Sequence, residues 1–224
     1  FTRLSAHLCA PVFVFLTGLG AWLYEHPPSG ATRSASGFLF KRGLLLVVLE
    51  ITLVSLSWTG EIPPSTIWLQ VIWAIGLSML VLAAMVKLPY AVIAGIGALI
   101  VFGHNLLSPI SFQPGETGYS LWTILHDRGF LVAEGPLKIK ISYPVLPWIG
   151  VILLGYAAGP IYGRAFDAAR RVRSLLQLGA ACLLLLALLR GFNIYGETLP
   201  WIAGSDGVRT LMSWLNFTKY PPSL

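Results

Sequence analysis

The chain has 224 residues, of which 56% are hydrophobic and only 11% charged, and its formal net charge is +6. Ordinary globular domains carry roughly 25% charged residues. So few charges cannot cover a water-exposed globule, and the mean hydropathy of +0.76 sets the apolar residues against lipid or against each other. A soluble domain, a disordered chain, a secreted disulfide scaffold and a nucleic-acid module are excluded. Cys9 and Cys182 both lie inside apolar runs and are expected to be small buried hydrophobes rather than a disulfide or metal pair.

Crossing ~30 Å of hydrocarbon takes about 20 mostly apolar residues. Six segments approach that length, so the expected architecture is an all-α, polytopic transmembrane helix bundle forming a single domain over residues 1–224. Span A covers about 8–24 and follows His7 and Arg3. Span B covers about 43–58, after the Lys41-Arg42 pair, and carries Glu50 in its middle. A carboxylate at the bilayer centre costs ~2.5–3.5 kcal/mol on insertion scales. Glu50 is therefore expected to face the bundle, either as a site acid or as a structural pin to a neighbouring helix. Arg42 is more than two turns away, too far for a salt bridge by itself.

Span C (about 66–86) and span D (about 88–103) form a hairpin around Lys87. Pro11, Pro89 and Pro144 are placed in first turns, where a missing N–H is harmless. The small-residue runs Gly18 to Gly20, Gly95 to Gly97 and Gly155 to Gly159 suggest close helix packing. Span D ends at His104 and Asn105, where a long connection (104–143) begins, rich in aromatic residues and carrying the pair His126-Asp127. Connections beyond about 12–15 residues are usually functional or disordered. Span E (about 144–162) and span F (about 172–189) follow, separated by the basic cluster Arg170, Arg171 and Arg173. The tail, 191–224, mixes Asn193, Tyr195, Trp201, Trp214, Asn216 and Tyr220 with Gly and Pro. Both the long loop and the tail are expected to cap the outer face with short or interfacial helices. Trp22, Trp58, Trp68, Trp148 and Tyr156 are expected as interfacial belt or packing residues.

Basic residues concentrate at span ends on the connections A–B, C–D and E–F, which places those connections in the cytoplasm. His7, His104 and His126 then fall on the outer side. Histidine titrates near neutrality and is the default general base, although each of the three could equally serve as an interfacial hydrogen-bonding residue. His26, before two prolines, has no evident role. No His, Cys or Glu spacing matches a metal site, and no nucleophile elbow or phosphate loop is present. Arg42, Arg170 and Arg171 are candidates to meet cofactor phosphates or anionic headgroups, or to act as topology anchors.

With those residues in view, several strings resemble one family. They are RLSAHLCAPVFVFLTG at 3–18, KRG at 41–43 followed by Glu50, WAIGLS at 73–78, GHNLL at 103–107, YPVLPWIG at 143–150 and NFTKYPPS at 216–223. They resemble bacterial membrane proteins grouped with the heparan-α-glucosaminide N-acetyltransferase catalytic domain. The resemblance implies a multi-span acyltransferase-like fold, acetyl-CoA as the donor from the cytoplasmic side, and a sugar-like acceptor across the membrane. It also implies a fragment lacking a first helix and the last helices. The histidine usually assigned to catalysis in that family lies before the stretch matching span A, so the resemblance transfers it to no residue present here.

The leading expectation is therefore a membrane-bound acetyltransferase in a bacterial inner membrane. It would move an acetyl group from acyl-CoA to an amino sugar or another outward-facing acceptor. His7, His104, Asn105, His126, Asp127 and Glu50 are the candidate catalytic residues, with Asn105 or Arg3 steadying the developing oxyanion. The lipid bilayer, the acyl-CoA and the acceptor are its expected partners, and a homo-oligomer is compatible with this arrangement. The alternative is a transporter or flippase-like component in which Glu50 and the glycine-interrupted spans D and E form a polar path.

Overall fold

The computed structural model describes residues 2–31, 33–197 and 199–217, with side chains from residue 8 onward. Helix α1 runs Thr2–Glu25. It starts earlier than span A, so Pro11 sits inside the helix and not in its first turn. Helix α2 is Ala35–Leu49, opened by Ser34, whose side chain accepts from the Gly37 N–H. It continues through a π-helical turn, Glu50–Val54, into α3, Ser55–Thr59. Gly60 stops it in the left-handed region, φ 68°.

Strand β1 is Thr66–Leu69 and helix α4 is Val71–Met85. Helix α5, Tyr90–Gly103, begins at Pro89 and tightens into a 3₁₀ turn at His104–Leu107. The long loop holds helix α6, Tyr119–Leu125, with strands β2, Gly129–Val132, and β3, Lys138–Ile141. Helix α7 is Leu146–Ala157, and a 3₁₀ turn follows at Gly159–Tyr162. Helix α8, Ala168–Gly191, starts at Asp167, whose carboxylate accepts from Arg170 N–H. Helix α9 is Gly207–Trp214.

The chain is mostly helical, but it is not all-α. Strand β3 lies between β1 and β2, pairing parallel with β1 (Thr66 opposite Lys138, Leu69 opposite Ile141) and antiparallel with β2. The first four residues of span C thus form a strand. Thr66, Ile67 and Trp68 are β-branched or aromatic, and an apolar run of this kind suits either state until a partner strand decides it. Helix α4 is shortened accordingly. Among the described residues, three helices are long and apolar enough to cross a membrane: Leu8–Glu25, Tyr90–Leu107 and Ala168–Gly191; the apolar helices Val71–Met85 and Leu146–Tyr162 are shorter.

Close glycine contacts fix how the helices run. A Cβ at Gly18 would overlap the carbonyl oxygen of Ile152, and one at Gly155 would overlap that of Phe15. Gly159 sits against the Trp22 ring, so α1 and α7 descend side by side in the same direction. Helix α2 meets α4 head to tail. Ser36 Oγ donates to the Ala83 carbonyl at 2.7 Å, while a Cβ at Gly43 would lie 2.7 Å from the Gly76 carbonyl oxygen. Helix α5 runs against α7 in the opposite sense, Gly97 facing Gly150. Small residues at such contacts let backbones approach within van der Waals range, the main attraction available inside lipid. Gly20 and Gly95 face open space instead. The core so formed includes Val14, Leu39, Leu82, Ile93, Ile152, Leu153 and Tyr156. Cys9 and Cys182, expected to be buried, are instead exposed, on helix faces that no described residue covers.

One end of the bundle therefore gathers the sheet, α6, the 3₁₀ turn after α5 and the start of α7. The opposite end gathers the close of α1, the start of α5 and the 3₁₀ turn after α7.

Candidate active site

At the sheet end, His104 is 4% exposed. Its Nδ1 lies 2.9 Å from the Val101 carbonyl oxygen and 3.1 Å from that of Ile100. A carbonyl only accepts, so Nδ1 carries the hydrogen and Nε2 is the acceptor nitrogen. That tautomer is the one a general base needs. His126, directly after α6, is 3% exposed and stacks on Trp122 with ring centroids 4.9 Å apart. Its Nε2 lies 3.0 Å from the His104 carbonyl oxygen and its Nδ1 lies 2.9 Å from Oδ1 of Asp127. The structure thus brings His104, His126 and Asp127 into one connected cluster.

Asn105 and Ser108 adjoin it. Their Nδ2 and Oγ are buried and have no hydrogen-bond partner among the described residues. Residues three apart eclipse in a 3₁₀ turn, so Asn105 and Ser108 share one edge of the segment that begins at His104. A buried donor left unpaired costs ~1–3 kcal/mol. Sequence reasoning found Asn105 but missed Ser108, for which only the 3₁₀ geometry speaks. The indole N–H groups of Trp73 and Trp148 are also buried without a partner. Each is the third residue of its helix, α4 or α7.

Glu50 is fully buried, and its carboxylate bonds to the start of α4 and not to the histidines. Its Oε1 accepts from Gln70 N–H at 3.1 Å and its Oε2 from Trp73 N–H at 3.0 Å. These donors belong to the open N-terminus of α4, whose own N-cap side chain makes no bond. A carboxylate there meets orphan N–H groups and the positive end of the helix dipole. The π turn aims it: Ser55 Oγ donates back to the Glu50 carbonyl at 2.8 Å, and the same oxygen accepts from Trp68 N–H at 3.2 Å. Of the two sequence readings for Glu50, the geometry matches the pin to a neighbouring helix.

Each of the basic candidates makes contacts within the protein. Arg42 lies over the Phe38 ring at 4.4 Å and Arg170 over Phe166 at 4.4 Å. Arg171 donates from Nε to the Ile161 carbonyl at 3.2 Å and from NH2 to that of Phe166 at 3.3 Å. The side chains of His7 and Arg3, and Tyr220, lie outside the described residues.

Two polar constructions were not foreseen from sequence. At the end opposite the histidine cluster, Trp22 Nε1 donates to Tyr90 Oη at 3.2 Å, and Tyr90 Oη lies 3.3 Å from His26 Nε2. His26 Nδ1 returns to the Trp22 carbonyl at 3.0 Å. The neighbouring Tyr156 hydroxyl donates to Glu25, and the two together knit α1, α5 and α7. At the close of α8, Arg190 is 4% exposed. It donates to the carbonyls of Trp214, Leu199, Ser213 and Asn216 and pairs with Glu197 at 3.5 Å. The Tyr195 hydroxyl, in the tail it holds, donates to the Phe102 carbonyl at 2.6 Å. That bond joins the tail to the α5 end, two residues before His104.

A family model described as "Heparan-alpha-glucosaminide N-acetyltransferase, catalytic" matches residues 1–190, a stretch that contains the histidine cluster, Glu50 and Arg190. No curated protein and no solved structure matches the chain. Apolar helices fit for a bilayer, a buried histidine pair at one end and a match over most of the length lead to one assignment: the chain belongs to the heparan-α-glucosaminide N-acetyltransferase catalytic-domain family.

Proposed function

We propose that this protein is a multi-pass membrane acetyltransferase that moves an acetyl group from acetyl-CoA to an amine or hydroxyl of an acceptor facing away from the cytoplasm. An amino sugar is the acceptor class the family points to. In this reading the two shorter apolar helices and the α2–α3 unit also cross the bilayer, making six spans, and the histidine cluster lies on the outer side.

The observation that carries the reading is the tautomer of His104, fixed by the Val101 carbonyl, beside two unspent polar groups on Asn105 and Ser108. In this reading the thioester arm of acetyl-CoA, held from the cytoplasmic side, reaches through the bundle to the cluster, where the acceptor nitrogen or oxygen attacks the thioester carbonyl carbon while its proton passes to His104 Nε2. The Asn105 amide N–H donates to the oxygen that becomes negative. The C–S bond then breaks, and the CoA sulfur leaves as a thiol with the proton returned from His104. General-base assistance of this kind contributes ~10²–10⁴-fold, and one oxyanion donor is worth about 10²–10³-fold. His126 and Asp127 act as positioning residues, because they hold the His104 backbone and do not face the reacting atoms.

The experiment is transfer of labelled acetyl from acetyl-CoA to amino-sugar acceptors by the protein in vesicles. Label in the acceptor that disappears in His104→Ala supports the proposal. Transfer unaffected by His104→Ala removes His104 from it, and no transfer to any amine or hydroxyl acceptor refutes the reading as a whole.

A further inference from the structure

We infer that α9 is an interfacial helix, lying on the bilayer with its apolar face in the lipid at the boundary between headgroups and acyl chains. The sequence of α9 divides into two faces. Val208, Leu211 and Met212 fall at i, i+3 and i+4 and are 68%, 56% and 67% exposed. The opposite side is spent on the protein. Thr210 Oγ1 accepts from Gly204 N–H at 3.0 Å, and Ser213 Oγ accepts from Ile202 N–H at 3.0 Å. The helix therefore turns its polar face inward and its apolar face out, the reverse of a helix that meets water.

Its depth is set by α8. Among the described residues that helix is one of three long and apolar enough to cross a membrane, and its apolar stretch is left uncovered by them, as a helix facing lipid would be. Arg190 is the next-to-last residue of α8, and its guanidinium is bonded to the carbonyls of Ser213, Trp214 and Asn216. Helix α9 is thereby fastened where the hydrocarbon ends. Charge agrees with this depth. Arg209, 72% exposed on its side chain and 3.7 Å from the exposed Asp206 carboxylate, sits at the edge of the apolar face, where this charged pair forms the polar margin a surface-lying helix requires. Trp201 and Trp214, partly exposed beside it, are of the residue type enriched at this boundary.

The occupant is thus a lipid surface. The two alternatives are a second protein surface, from another copy or another segment, and plain water. Spin-label accessibility separates all three. Cys9 and Cys182, both exposed, are replaced by serine in the full chain. Single cysteines are then placed at Leu211, Met212 and, as a reference, Arg209, labelled, and the protein is reconstituted into phosphatidylcholine–phosphatidylglycerol vesicles. Labels at 211 and 212 are expected to collide with dissolved oxygen several-fold more, relative to a water-soluble nickel chelate, than the label at 209. Nickel access at 211 equal to that at 209 would place α9 in water and overturn the inference. Protection at 211 from both reagents would show a protein cover and overturn it equally. Val208→Cys provides an independent reading should one labelled variant fail to elute as folded protein.

Discussion

His126 Nε2 stands 3.0 Å from the backbone carbonyl oxygen of His104, so the loop helix α6 is tied to the end of α5 through one imidazole. The contact engages the His104 backbone, while Nδ1 of its ring faces the Val101 and Ile100 carbonyls, which set the tautomer. A division of labour follows. His104→Ala removes the base and is expected to lower kcat by ~10²–10⁴-fold with little change in KM. Asp127→Asn keeps a hydrogen-bonding partner for His126 Nδ1 and is expected to cost far less. Steady-state kinetics of acetyl transfer, resolved into kcat and KM, check both.

Removal of the Glu50 carboxylate is expected to act on stability and not on chemistry. Glu50→Ala strands the Gln70 and Trp73 N–H groups in a fully buried place, a loss on the order of 3 kcal/mol. Glu50→Gln keeps one carbonyl acceptor and is expected to recover part of it. Thermal unfolding followed by intrinsic fluorescence in detergent gives the ranking: wild type, then Gln, then Ala. A Gln variant as stable as wild type that lost solute movement or transfer would instead assign Glu50 to a functional path.

The glycines provide an internal control. Gly155→Leu and Gly18→Leu force side chains into the backbone of the facing helix, and overpacking of this sort costs about 1–3 kcal/mol or more. Gly20→Leu, with nothing within 4 Å of its Cβ, is expected to be neutral. Gel filtration and unfolding temperature should separate the first two from the third. Equal behaviour of all three would disprove the close α1–α7 contact.

Arg190 is expected to hold the tail through geometry more than through charge. Lysine offers three donors on a point charge where arginine offers five in a planar fork, so Arg190→Lys should fail to restore what Arg190→Ala loses. Limited proteolysis between residues 192 and 206 is the measurement. Both variants are expected to be cut several-fold faster than the wild type, because the segment opens locally without unfolding of the bundle.

The helical frame was legible in the sequence because bilayer-length apolar runs admit few other readings. Spans A, D and F correspond to α1, α5 and α8 within a turn or two. The boundaries that failed had non-local causes. Residues 66–69 became a strand because Lys138 to Ile141 came to pair with them, and no local pattern announces a parallel partner that distant. Span B carries a π turn at Glu50 that periodicity does not reveal. The grouping of His7, His104 with Asn105, and His126 with Asp127 rests on their positions at span ends; the structure joins His104, His126 and Asp127, and the His7 side chain lies outside the described residues. Ser108 needed the 3₁₀ turn to bring it beside Asn105. Tyr156 packs in the core, as its type and place suggest, and its hydroxyl is in addition bonded to Glu25 on another helix, which no local pattern announces. Arg190 carries no distinguishing signal in the sequence, because the carbonyls it bonds belong to a tail that folds back on it.

The parallel pairing of α1 with α7 has a consequence for biosynthesis. The residues that join them, Glu25 and Tyr156, are 131 positions apart in the chain. Helix α1 leaves the ribosome well before α7 and must wait in the bilayer with its glycine groove vacant while the strands and the α6 loop are translated. Contacts this remote in sequence form late and slowly. A chaperone or insertase that shelters α1 during that interval would shorten the period in which the unfinished bundle can pair with a wrong neighbour.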